Sequence, residues 1–299
     1  MVVCAALVSG AAQPPIDAPQ VLSVETNLVV LPVTVVDRQG RAVTGLTRDD
    51  FAVYDNGELQ AIQLFTSEDA PWTVGLVIDS SSSMRGQREA VTAAGAAFAE
   101  WSHPLDELFT LNFNEVVWLG LPPTIPFAEN AGQLRQVLSA APVQGMTALY
   151  DALDAALRHL DFGTRDRRAL IVVSDGGDNA STLTLDAVVE HARRSNAAIY
   201  AVILAEADNR DARPGVLKKL ARENAGAAFS PRTPDDVVAA FRAIALEIRS
   251  GYTIGFSPPR ARSGEFRTVR VAADAGDDRK LVARTRAGYY PGRSPRVDH

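Results

Sequence analysis

The sequence predicts an α/β protein: a doubly wound domain with a mostly parallel sheet, inserted into the chain of a small β-sandwich-like module. Strand-like and helix-like segments alternate from Trp72 to Gly251, the strand-like ones there are continuous apolar runs, and short strand-like segments separated by polar turns return on both sides of that region. Alternating strands and helices call for right-handed crossovers and a parallel sheet, and a strand covered on both faces loses its polar alternation. The strands after Gly251 are too few to build a core alone. They are expected to complete the N-terminal strands, which makes one module of the two flanks; two unrelated β appendages are the alternative. The expected division is 1–20 for a signal-like or disordered N-terminus, 21–70 for the first part of the β module, 71–251 for the α/β domain, 252–291 for the second part of the β module, and 292–299 for a disordered tail.

Each element has a local reason. Leu28 to Asp37 reads LVVLPVTVVD, rich in β-branched residues, and Pro32 has no N–H for a ladder, so an edge strand or a bulge is expected. In DFAVYDNGELQAIQLF, Asn56-Gly57 separates two strand-like runs, and both residues tolerate the positive φ of a tight hairpin turn. Roughly four short strands fit before Trp72. WTVGLVIDS is the first buried run. A helix-like stretch from Gln87 to Trp101 follows, then a strand at LFTLNF, helices around Ala131 to Ser139 and Ala148 to Leu160, and the strand ALIVVSD ending at Asp175. Helix Leu185 to Ser195, strand AAIYAVILA and helix Val216 to Asn224 continue the alternation. The last helix has the clearest start. Thr233 can cap, Pro234 takes the first position where a missing N–H costs nothing, and Asp235 and Asp236 meet the positive end of the dipole. Val237, Phe241, Ile244 and Ile248 form its apolar stripe, and Gly251 ends it. YTIGF, FRTVRVAA and KLVARTRAGYY supply the final strands.

Composition narrows the function. The 299 residues are 46% hydrophobic and 22% charged, with 36 acidic against 30 basic side chains and a net charge of -6. With no Lys/Arg block, a phosphate backbone finds little attraction, and nucleic acid is not an expected partner. The single cysteine, Cys4, rules out an intrachain disulfide. Met1 to Ala12 reads MVVCAALVSGAA, an apolar run ending in small residues but without a positive n-region. It reads either as an export signal whose true start lies upstream, giving a periplasmic or secreted protein, or as a disordered apolar N-terminus. No later run approaches the roughly 20 apolar residues of a membrane span, so no integral membrane segment is expected in the mature chain. Oligomeric state is not readable.

Three polar segments stand where a predicted strand ends or a helix begins: DSSSSM from Asp79 to Met84, Thr147 in GMTALYDAL, and Asp175 in SDGGDN. In an open α/β sheet, ligands bind beyond the carboxyl ends of the strands, so all three can meet on one rim. Their donors are oxygens only, which suits Mg²⁺, Mn²⁺ or Ca²⁺ better than zinc. In a strand-to-loop turn Asp79, Ser81 and Ser83 can face one point while Ser80 and Ser82 face away. Each piece alone has an ordinary reading: a flexible serine loop, a helix cap at Thr147, a turn residue at Asp175.

As an ordered triple, these segments resemble the three parts of the metal-ion-dependent adhesion site (MIDAS) of von Willebrand factor type A domains, whose first part has the form D-x-S-x-S. The resemblance covers about Pro71 to Gly251, and Met84 matches a frequent family residue. DFAVYDNGELQ and RAGYY further resemble the flanks of bacterial von Willebrand factor type A-related proteins, which are usually exported. The resemblance implies a Rossmann-like fold, metal ligation by the Ser81, Ser83 and Thr147 hydroxyls with Asp79 and Asp175 acting mainly through waters, and no catalytic turnover. The function it implies is a metal-dependent adhesion or scaffold module that grips a protein ligand presenting Asp or Glu.

Two other functions compete. A magnesium-dependent hydrolase or phosphotransferase would want a phosphate-cradling G-x-x-x-x-G-K-[ST] loop or a G-x-S-x-G nucleophile, and neither occurs. His103, His159 and His191 lie in helical or helix-end contexts where solvated or core roles are expected. A metal-independent structural module is the third reading.

Overall fold

A computed structural model describes residues 28–204, 211–258, 264–276 and 279–291; the signal-like segment and the expected C-terminal tail lie outside them. In chain order the strands are β1 (Val29–Val36), β2 (Phe51–Asp55), β3 (Glu58–Gln60), β4 (Leu64–Thr66), β5 (Trp72–Asp79), β6 (Glu107–Phe113), β7 (Val117–Leu119), β8 (Arg167–Ser174), β9 (Ala198–Ile203), β10 (Ala228–Phe229), β11 (Tyr252–Phe256), β12 (Arg267–Ala273), β13 (Val282–Arg284) and β14 (Gly288–Tyr289). The helices are α1 (Arg88–Trp101), α2 (Ala131–Ala140), α3 (Leu149–His159), α4 (Leu185–Ser195), α5 (Pro214–Glu223) and α6 (Pro234–Arg249).

The central sheet has the order β10-β9-β8-β5-β6-β7 and is parallel except for β7, which returns antiparallel on β6. Every residue of β5 is buried, as its unbroken apolar run predicts. Helices cover both faces. α1, α2 and α6 bury Val91, Phe98, Leu134, Phe241 and Ile244 on one side, while α3, α4 and α5 bury Leu149, Leu153, Val188, Leu217 and Leu220 on the other. The chain runs from β5 outward to β6 and β7, then restarts at β8 on the other side of β5. The switch in direction therefore lies between β5 and β8, where a doubly wound sheet opens its crevice.

The flanking strands interleave across the insertion. β1 pairs with β11 and β13, β4 pairs with β11, and β2 pairs with β12, giving two four-stranded sheets, β13-β1-β11-β4 and β14-β12-β2-β3. Leu31, Val33, Val53, Ile254, Phe256 and Val271 fill the space between them. Asn56 and Gly57 take φ of 48° and 88° at the β2–β3 hairpin, as that pair predicts. β1 is not an edge strand, contrary to the reading of Pro32. β13 reaches only Thr34 to Val36, however, so Pro32 is paired on the β11 side alone and its missing N–H costs no ladder bond. β7 and β10 are additions to the expected strands. α6 begins with the capping box foreseen for it, Thr233 and Asp236 bonding reciprocally.

Candidate metal centre

The carboxyl ends of β5 and β8 deliver Asp79 and Asp175 to the same rim. Asp79 is the last residue of β5, and its strand neighbour Ile78 pairs with Val173, two residues before Asp175. A 3-10 turn from Ser82 to Gln87 separates β5 from α1 and folds the serine run back over the strand end. Ser81 N–H donates to Asp79 Oδ1 (2.9 Å), the Ser81 and Ser83 hydroxyls lie 3.1 Å apart, and Ser83 Oγ donates to Asp175 Oδ2 (3.2 Å). Four of the five expected ligands thus form one connected cluster of oxygens. Ser80 Oγ instead accepts from Arg88 (3.3 Å) and Ser82 is exposed, in keeping with the expected alternation.

Thr147 joins through its backbone. Gln144 N–H donates to Ser80 O (2.9 Å) and Ser82 N–H to Gly145 O (3.2 Å), docking the loop before α3 onto the serine turn. Thr147 N–H donates to Asn179 Oδ1 (2.8 Å), and its carbonyl accepts from the N–H groups of Asn179 and Ala180. Thr147 is buried, and the cap position of α3 is Ala148, which makes no side-chain cap bond. The threonine is therefore not the cap that a helix-start threonine ordinarily is. The start of α3 is satisfied instead from the β8 loop: Ser181 Oγ accepts from Tyr150 N–H (3.0 Å) and donates to Asp178 (2.5 Å). Asp178 was expected to add acidity to the rim; its carboxylate also accepts from Tyr150 N–H (3.3 Å), so it serves the positive end of the helix.

Two glycines allow this convergence. Gly176 has φ +84°, and a Cβ there would come within 2.5 Å of Arg213 O, so the β8 loop can lie against the start of α5 only without a side chain. Gly145 has φ +83° beside the Glu115 carboxylate, which accepts from Met146 N–H (2.8 Å) and holds the loop carrying Thr147.

Asp79 is 1% exposed, and its other oxygen accepts from Ser174 Oγ (2.7 Å). Burial, aided by the nearby charge of Asp175, pushes its carboxyl above the usual range, although Ser81 and Ser174 oppose the shift. A buried carboxylate destabilised in this way fits a site where positive charge is supplied from outside the chain. Among the described residues no group of three or more His, Cys, Asp and Glu side chains is placed to hold a metal, so a cation here would depend on the hydroxyls. The histidines are engaged elsewhere: His159 Nε2 with Pro126 O (2.9 Å), His191 Nδ1 with Asp154 (2.8 Å), and His103 Nδ1 with Leu105 N–H (3.1 Å). Sequence reasoning missed Ser174, Asn179, Ser181 and Glu115. Only the first three had a signal, as polar neighbours of SDGGDN.

An oxygen cluster at the switch point of a sheet with one antiparallel edge and three helices on each face defines the class: this is the fold of a von Willebrand factor type A domain, here set within a sandwich. The particular likenesses are distant. No family model matches the sequence, and neither does any curated protein. A von Willebrand factor type A protein from Catenulispora acidiphila superposes over 88% of this chain and 75% of its own, with 15% identity and a TM-score of 0.55, so the match takes in sandwich strands as well as the α/β domain. The vWF domain of the type V pili tip protein from Porphyromonas gingivalis matches 60% of this chain and 95% of its own at 17% identity and a TM-score of 0.50. Proximal thread matrix protein 1 from the mussel byssus, in a structure whose MIDAS motif is occupied by zinc, matches 67% of this chain and 50% of its own at 12% identity and a TM-score of 0.53.

Proposed function

We propose that residues 71–251 form a non-enzymatic protein-binding module in which Asp79, Ser81, Ser83, Thr147 and Asp175 hold one divalent cation, Mg²⁺ or else Mn²⁺ or Ca²⁺, for the capture of an acidic residue on a partner protein. The observation that carries this reading is the hydroxyl and carboxylate chain from Asp79 through Ser81 and Ser83 to Asp175. Hard oxygen donors of this kind suit those cations. When bound, the cation would supply a Lewis-acidic point of attachment for a carboxylate. The chain's own part is to hold the donors in place. Asp79 fixes the serine turn, Asn179 fixes Thr147, and Glu115 fixes the loop between them. Neutral hydroxyls would leave the cation's charge largely unquenched, and the acid residues of the rim would repel a carboxylate in its absence, so capture depends on metal. The zinc in the mussel protein's motif supports a divalent ion in general, and the choice among ions is a matter for titration.

A second reading rests on the same bonds. The loops are already joined directly to one another, which is what a metal-independent structural module would show. Thermal melts of the wild type and of Asp79→Ala, each in EDTA and in excess Mg²⁺, separate the two. Metal at a hundredfold excess over its Kd should stabilise the wild type by about 2.7 kcal/mol and the variant not at all; an equal response in both would leave the structural reading. The module is also proposed to act outside the cytoplasm, in keeping with the signal-like N-terminus, and among the described residues no helix is long and apolar enough to cross a membrane. N-terminal sequencing of the mature protein checks this, with processing expected near Ala11.

A further inference from the structure

We infer that the outer edge of β7, with the groove beside it, is a second docking site, one that takes an extended peptide segment of a partner by strand addition and places one aliphatic side chain between β7 and α2. β7 ends the six-stranded sheet, and among the described residues no strand pairs beyond it. Its register on β6 fixes which backbone groups are left over. Asn114 N–H donates to Val116 O (3.0 Å) and Gly120 N–H donates to Thr110 O (2.8 Å), while Leu119 stands opposite Leu111 and Val117 opposite Phe113. In an antiparallel pair, bonded and non-bonded positions alternate, so Val116, Trp118 and Gly120 turn their amides and carbonyls toward β6, and Val117 and Leu119 turn theirs to the open edge. Two donors and two acceptors at strand spacing call for an extended backbone and not for a helix or a bare apolar surface.

The side-chain requirement comes from the other side of the same strand. Val117 and Leu119 pack toward the core beneath α3, so Trp118 faces the α1/α2 side. There a cavity of about 370 Å³ opens, walled by Trp118, Leu121, Ile125, Val137, Ala140 and Pro142. Gly120 keeps it open, because a Cβ at that position would meet the Thr110 hydroxyl and Val137. On an added strand, alternate side chains point to this face, and one of leucine size fits the space, with its small polar neighbours two residues away lying over Gln133 and Gln136 at the rim. Three residues of edge are short, which limits indiscriminate pairing and leaves the apolar anchor to set specificity. The site uses no metal ligand and does not rest on the function proposed above.

The test uses the full chain in EDTA, which silences any cation-dependent contact, and the peptide acetyl-Thr-Val-Leu-Val-Thr-amide as probe. At millimolar peptide, amide hydrogen exchange at Val117 and Leu119 should slow at least tenfold, and the fully N-methylated peptide, which keeps the side chains and loses the donors, should have no such effect. Leu119→Pro removes an outward donor that the β6 ladder does not use, and Ala140→Trp fills the cavity. Each should weaken the peptide at least tenfold, and the second keeps the test open should the first fail to fold. Unchanged exchange at both amides would overturn the proposal, as would equal binding of the methylated peptide. A dimer of this chain that Leu119→Pro dissolves would overturn it in favour of a second copy as the occupant.

Discussion

Asp55 in the sandwich and Asp79 at the sheet rim are buried equally deep, at 0% and 1% exposure, and they are satisfied by different chemistry. Asp55 accepts from Arg267 Nε at 2.9 Å and 3.0 Å, pairs with its Nη2 at 2.9 Å, and accepts from the Tyr289 hydroxyl at 3.2 Å. Burial, together with the charge of Asp55, pushes that phenol up to about 12, so it remains a donor. The bonds to Asp79 come only from neutral donors, the Ser81 amide and the Ser174 hydroxyl. One carboxylate has its countercharge built into the chain. The other is surrounded by hydroxyls that can orient around a charge but not cancel it. The first arrangement holds a fold together, and the second is what a site for an external cation requires.

The difference can be broken at several places. The largest effect is expected from deleting every residue after Gly251, which removes β11 to β14, uncovers Leu31, Val33 and Val53, and leaves β1, β2 and β4 without their partners. That protein should aggregate on size-exclusion chromatography, whereas residues 71–251 alone should fold; a deletion that stays monomeric and melts like the full chain would show the flanks to be independent. Next in size is Asp55→Ala, which strands the Arg267 guanidinium and should cost about 3–5 kcal/mol in urea unfolding, with or without metal. Asp79→Asn in EDTA should lie within about 1 kcal/mol of wild type, because an amide keeps the shape and loses an unfavourable buried charge. If the two substitutions cost the same, the contrast between the sites is wrong.

Glu247 sharpens the comparison as a middle case, 2% exposed and paired with Arg284 at 3.0 Å. Burial pushes its carboxyl above its ordinary 4.5, and Arg284 only partly opposes this. A folded-state value above the unfolded one means that its contribution to stability is complete below about pH 4.5 and is lost as pH rises through the folded value. Wild type should therefore lose stability relative to Glu247→Gln between pH 4.5 and neutrality. The opposite trend would mean that the ion pair outweighs desolvation.

What the sequence disclosed depended on whether the governing interaction was local. β5, β8 and β9 were legible because burial on both faces leaves an unbroken apolar run, and α6 because its cap lies within four consecutive residues. β7 and β10, at three and two residues, are too short to carry a period and exist only because a neighbouring strand offers a ladder. The role of Pro32 was misjudged for a related reason: whether a strand is an edge depends on how far its partner extends. At the rim, the oxygen-bearing residues sit in contiguous motifs and were visible. The residues that position them were not, because Ser174, Asn179 and Glu115 reach Asp79, Thr147 and Met146 from segments 31 to 95 positions away.

The chain enters the α/β domain from β4 and leaves it into β11, and these strands lie side by side with Thr66 opposite Thr253. Just beyond them, Asp69 on the way in and Arg249 on the way out are joined at 2.6 Å. Entry and exit thus form a single clasped stem, so a partner tugging on the rim draws on two parallel strands at once. A pull between the two ends of the protein follows a different route. It is borne across β1 and β11, where five residue pairs resist in shear, and largely bypasses the inserted domain. The grip at the rim is in this way mechanically insulated from tension along the rest of the chain.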